Sequence, residues 1–197
     1  MKRALLGILA AAAVSAFVAG CGTGSSVTIA RRKIPEYPSA VLPAPEGAQV
    51  AVYPHPFSGD AETRFMRDNG HALLVEGLKS AGYGIVPPER SRAGRGPVCV
   101  VELAECRHDM PERDDGDMVS VVTVVAVRVR KPGALRHGRV DCGRVRSFQG
   151  VCRMALGPRP FDFQMTEEER LKGIRGAVGN LIRSAQFREA VAGSAGS

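Results

Sequence analysis

Tryptophan is absent from these 197 residues, and all aromatics together make up only 5%. An aromatic platform for stacking sugar rings or bases therefore has little to be built from. No C-x-x-C occurs, which excludes a dithiol redox site of that kind. The four histidines, His55, His71, His108 and His137, are scattered. None falls in an H-E-x-x-H or a zinc-cluster spacing, so they read as exposed or hydrogen-bonded side chains. G-x-S-x-G is missing, which removes the nucleophile elbow of a hydrolase. No internal repeat is visible. With no catalytic constellation, no cofactor motif and no metal spacing, the chain reads as non-enzymatic.

A long hydrophobic run is lacking too. The most apolar stretch, residues 4–18, follows Met1-Lys2-Arg3. It falls short of the roughly 20 apolar residues that cross a bilayer. A positive start followed by a short apolar segment is the pattern of an export signal. The segment ends in Val18-Ala19-Gly20-Cys21. This resembles the lipobox of bacterial lipoproteins: an aliphatic residue, two small residues, then an obligatory cysteine. The resemblance implies that residues 1–20 are a signal peptide, with Val18, Ala19 and Gly20 recognised by the signal peptidase. It also implies that Cys21 receives a diacylglycerol on sulfur and becomes the first residue of the mature chain. A diacylglyceryl cysteine anchors without a transmembrane helix, since one acyl chain holds only marginally and two hold stably. Gly22 is not the aspartate that marks inner-membrane retention in this family. The expected location is the periplasmic face of the outer membrane, with inner-membrane anchoring the alternative. The GTGS that follows is a flexible tether. It is not a phosphate loop, because no strand precedes it and no lysine follows at the needed spacing.

Removing residues 1–20 takes away two positive charges, so the stated +7 becomes +5. The excess is mostly arginine and reads as spread along the chain. Arg31-Arg32-Lys33 is either a contact for anionic headgroups or an ordinary solvated tether. Nucleic acid is not an expected partner of an exported chain, and no basic-aromatic motif appears.

Residues 21–47 form the lipidated cysteine and a tether containing Pro35, Pro38, Pro43 and Pro45. A single domain is expected over 48–190 and a disordered tail over 191–197. Gln49 to Tyr53 reads as a strand closed by Pro54 and Pro56. A helix follows, capped by Ser58 or Asp60, with Phe65, Leu74, Leu78 and Ala81 on one face and Gly82 as its left-handed stop. Tyr83 to Val86 is a short strand. Val98 to Cys106 is another, with Cys99, Val101 and Leu103 on one face and Glu102, Ala104 and Cys106 on the other. Met118 to Arg130 alternates, with Val119, Val121, Thr123, Val125, Val127 and Val129 together. Arg139 to Leu156 is a third strand with a break near Gly143 or Gly150. Thr166 and Glu169 make a capping box for a last helix. Its apolar stripe runs from Leu171 to Ala185, with Gly173, Gly176 and Gly179 along it for close packing on a sheet. The order predicts an α+β fold: two helices on one face of a mostly antiparallel sheet of about four strands.

Four cysteines remain in an oxidising compartment. Cys99 and Cys106 on one strand are about 23 Å apart, at ~3.3 Å per residue, too far to bridge. A flat meander also separates both from Cys142 and Cys152. Three possibilities stay open: another strand order, a fold-back pairing Cys142 with Cys152, or free buried thiols. The fold-back is the working expectation. The acidic residues Asp109, Glu112, Asp114, Asp115 and Asp117 depart from a calcium-loop register and read as a solvated hairpin loop.

The body is similar in architecture to small periplasmic lipoproteins of the lipopolysaccharide-assembly type: tether, strand, helix ending near G-Y, antiparallel strands, final helix. Leu78-Lys79-Ser80-Ala81-Gly82-Tyr83-Gly84-Ile85-Val86 carries that resemblance. It implies an accessory role in envelope assembly or transport through a protein partner. No plug residue of that family is matched here. Two alternatives stand beside it: a carrier domain for lipid or polyanion, and an enzyme with an unrecognised site. An open strand edge, an apolar cavity or a polar cleft would tell them apart.

Overall fold

The computed structural model describes residues 43–54, 60–87, 98–109, 111–113, 118–130, 135–136, 139–140, 145–160 and 162–192. Cys21, its flanking Val18, Ala19 and Gly20, the cluster Arg31-Arg32-Lys33 and Cys142 lie outside them. In chain order the elements are β1 (Gln49–Tyr53), α1 (Ala61–Ser80), β2 (Gly84–Val86), β3 (Cys99–His108), β4 (Glu112–Arg113) and β5 (Met118–Arg130). Then come β6 (Leu135–Arg136), β7 (Arg139–Val140), β8 (Val145–Pro158), α2 (Glu167–Arg183) and α3 (Ala185–Ala192).

The α+β class stands, and the sheet is larger and more mixed than expected. Six strands join in the order β2-β1-β3-β5, with β8 along the far side of β5 and β4 beside β5 next to the end of β3. β1 is parallel to both β2 and β3, while β3-β5-β8 is antiparallel. The cause is α1. A helix of 20 residues returns the chain to the starting end of β1, so the next strand must run the same way. A small separate ladder pairs β6 with β7.

Local signals explain the helices. Asp60 caps α1 by accepting from the Thr63 backbone N–H at 2.7 Å. At its other end Gly82 takes φ 92°. There Gly82 N–H donates to Lys79 O at 2.9 Å and Tyr83 N–H to Leu78 O at 3.0 Å, the glycine-ended stop that the sequence announces. The Thr166–Glu169 capping box is formed. The expected last helix stops at Ser184, and a third helix, α3, continues from it. All three pack on one face of the sheet, with Phe187 of α3 edge-on to Phe148 of β8 at 5.8 Å.

Two glycines set how closely α2 approaches. A Cβ on Gly173 would collide with the Thr123 hydroxyl, and one on Gly176 with Cys152 Sγ. Gly179 meets only Arg183, at 3.7 Å, so it is not part of that contact. β8 has no break at Gly150. Its glycine is instead where the α2 backbone presses on the sheet, 2.7 Å from a would-be Cβ to Leu181 N. Cys106 and Cys152 are free thiols. The expected Cys142–Cys152 bridge is therefore not formed, for a geometric reason. Cys152 is seven residues into a continuous extended strand that starts at Val145, about 23 Å along it. The three residues back to Cys142 span only about 10 Å, too little to return.

Candidate functional site

β1 ends at Tyr53, which pairs with Glu102. β3 runs on to His108. Among the described residues, no strand covers its 103–108 stretch on the side where β1 has stopped. At the start of that stretch the register with β5 slips between Leu103 and Glu105. The extra residue, Ala104, makes a bulge, and a bulge re-aims every side chain after it. The expectation that Cys106 faces away from Leu103 is thereby corrected. Cys106 lies on the helix side, and a Cβ on Gly70 of α1 would meet both Cys106 Sγ, at 2.8 Å, and Leu103 Cδ2, at 3.5 Å. His108, two residues on, shares that side. The sequence marks this slip in one place: the charged residues step from Glu102 to Glu105, an odd spacing that unbroken alternation would not place on one face.

The first turns of α1 lie across the open edge. Between them is a cavity of about 600 Å³, with Thr63, Met66 and Arg67 on one wall and residues 103–108 on the other. It continues around the edge to Ala126, Arg128 and Ser147. The register puts those three on the sheet face opposite the helices.

The ionisable groups of this groove are mostly engaged with one another. Glu62 pairs with Arg170, which also lies 5.7 Å over the Phe65 ring. Arg107 binds Glu105 at 2.6 Å and also holds Asp109. Burial, with the Glu105 charge adding to it, pushes the Cys106 thiol up to about 12. Such a thiol stays protonated and is a poor nucleophile at neutral pH. Burial first, and the Arg170 charge second, bring His108 down to about 4. His108 Nδ1 lies 2.8 Å from the hydroxyl of Thr123, a fully buried polar side chain. Its Nε2 is buried without a hydrogen-bond partner. A neutral imidazole and a protonated thiol, side by side, offer shape and surface more than acid–base chemistry.

The acidic loop does not gather around an ion in the described residues. Asp109 goes to Arg107, and Glu112 binds Arg153 at 2.8 Å. No metal-holding cluster occurs among the described residues. His71 lies in α1, and His55 and His137 lie outside the described residues.

No family model matches the chain, and no curated protein matches it. Solved structures similar to it include a minor lipoprotein from Acinetobacter baumannii, at 12% identity, 74% of this chain, 92% of that one and a TM-score of 0.37. A PelC dodecamer from Paraburkholderia phytofirmans aligns at 13% identity, 76% and 96% coverage and a TM-score of 0.40. Lipoprotein GNA1162 from Neisseria meningitidis aligns at 17% identity, 55% and 84% coverage and a TM-score of 0.31. Likenesses this distant fix neither the fold nor the function of the chain.

Proposed function

We propose that this chain is a lipoprotein anchored through Cys21 to the periplasmic face of the outer membrane. Its body binds a protein partner in the groove between α1 and β3, as a non-enzymatic accessory in envelope assembly or transport. The anchor rests on Val18-Ala19-Gly20-Cys21 and its preceding apolar run. No helix among the described residues is long and apolar enough to cross a membrane. The observation that carries partner binding is the uncovered 103–108 stretch of β3 beside a cavity of about 600 Å³. A strand edge next to a groove suits an extended peptide, whose backbone pairs with the edge while alternate side chains fill the groove. The non-enzymatic part rests on the state of Cys106 and His108, neither of which is activated.

The test is site-directed photocrosslinking in cells, with the reactive side chain at Thr63 or Ser147. A single protein should be captured from both positions and from neither position when Ala126→Trp fills the groove. The same side chain at the exposed Arg175 should capture nothing. Equal capture from all three positions, or capture unaffected by Ala126→Trp, would remove the groove from the account.

A further inference from the structure

The positive excess is not spread along the chain, as its arginine content first suggests. Residues 128–146 hold seven Lys and Arg (Arg128, Arg130, Lys131, Arg136, Arg139, Arg144, Arg146) against a single acid, Asp141. That one hairpin segment carries a net +6 out of the +7 of the whole sequence. Everything else is close to neutral.

The fold gives three of these charges, Arg128, Arg130 and Arg146, a definite place. Register runs across the sheet from Ala51 to Val100, from Val100 to Arg130, and from Arg130 to Val145. Arg130 and Arg146 thus stand at the end of the sheet where β1 begins. The chain arriving from Cys21 docks at that same end. Ala44 N–H donates to Ala81 O at 2.7 Å, and Arg188 donates to Pro43 O at 3.0 Å. Arg128, Arg130 and Arg146 are all exposed. Arg130 has Glu102 at 3.4 Å, a long and solvent-exposed pair. Among the described residues no acid pairs with Arg128 or Arg146. Glu105, Asp109 and Glu112 sit toward the other end of the sheet, engaged with arginines there.

From this geometry we infer that Arg130 and Arg146 at this end of the sheet, with Arg128 next to Arg130 on the same face of β5, lie against anionic phospholipid headgroups of the membrane in which Cys21 is anchored. The inference rests on the lipid-anchor reading for its biological setting, and the charge segregation stands apart from it. Residues 21–43 alone would let the body drift up to about 75 Å from the bilayer. A polybasic patch beside an acyl anchor is the second signal that holds such a protein down. It also fixes orientation. α1 has 20 residues and is about 30 Å long, so its first turn, one wall of the groove, is held off the surface, while the Arg128 and Ser147 wall adjoins the basic end.

The experiment uses the mature chain as Cys21→Ser, which removes the acyl chains and makes the outcome independent of lipidation. Its binding is measured by co-sedimentation with vesicles of pure phosphatidylcholine and with vesicles containing phosphatidylglycerol. Binding to the anionic vesicles alone is expected, weakening as salt rises. Arg128→Gln/Arg130→Gln/Arg146→Gln should lose affinity by about fivefold per arginine, on the order of a hundredfold in all. Arg64→Gln/Lys172→Gln/Arg175→Gln, which removes as many exposed cations elsewhere, should keep most of it. Circular dichroism and thermal unfolding of both variants show whether they are folded. If the triple arginine variant does not fold, the single variant Arg146→Gln, expected to lose about fivefold, carries the test. Equal binding to neutral vesicles, equal loss in both triple variants, or binding to a soluble polyanion such as heparin without binding to anionic vesicles would each overturn the inference.

Discussion

Gly150 is the position at which the smallest change should cost most. A methyl group there would meet Ala177 O and stand 2.8 Å from Leu181 Cβ. Neither is a flexible tip that can swing aside, so α2 would have to lift from the sheet. Gly150→Ala should lose about 3 kcal/mol or more in urea unfolding, as overpacked contacts do. Gly179→Ala is its contrast, because its Cβ finds only Arg183 at 3.7 Å. With no clash, the helix preference for alanine should make it neutral or stabilising by up to about 1 kcal/mol. His108 has a different signature. Its pKa in the fold, about 4, lies below the ordinary 6.5. Between those two values the unfolded chain takes up a proton that the folded chain refuses. His108 therefore costs nothing above pH 6.5 and destabilises the fold progressively as pH falls toward 4. His108→Gln should flatten the fall of the urea midpoint over that window relative to the wild type. An unchanged slope would mean that the imidazole is not buried as described. The glycines were legible as a close-packing stripe, but which of them touches backbone, side chain or solvent depends on the sheet beneath.

At the scale of elements, the ends were easier to read than the partners. β1, α1 with its Gly82 stop and α2 with its capping box all follow from local chemistry. Thr166→Ala should cost about 1 kcal/mol, seen as a lower urea midpoint. The Glu169 pKa should stay depressed, since the main cause is the hydrogen bond from the backbone N–H of residue 166, which alanine keeps. What the sequence did not reveal is non-local. The parallel pairing of β1 with β2 and β3 depends on where α1 returns the chain, not on any residue within the strands. The bulge at Ala104 shows in the sequence only as the odd step from Glu102 to Glu105, and the slipped register with β5 makes it plain. That one-residue slip moved Cys106 and His108 to the helix side, and with them the character of the groove. The uninterrupted β8 was hidden by Gly150, because a glycine that breaks a strand and a glycine that admits a helix look alike in sequence.

For the whole molecule, three features matter: the anchor at Cys21, the basic group of Arg128, Arg130 and Arg146, and the groove at the first turns of α1, which meets the basic group at Arg128. Their arrangement is the basis for an accessory lipoprotein held low on its membrane, with the α1 wall of its partner site turned away from it. All of it depends on the anchor. The measurement to make is the intact mass and membrane fractionation of the native protein beside a Cys21→Ser variant. The account expects a wild type that begins at Cys21, carries diacylglyceryl and acyl mass and sediments with outer membranes, and a variant with no acyl mass that leaves them. A wild type that is soluble, unacylated and cut near Ala19 would contradict it, and would turn Cys21 into a further thiol of a secreted domain.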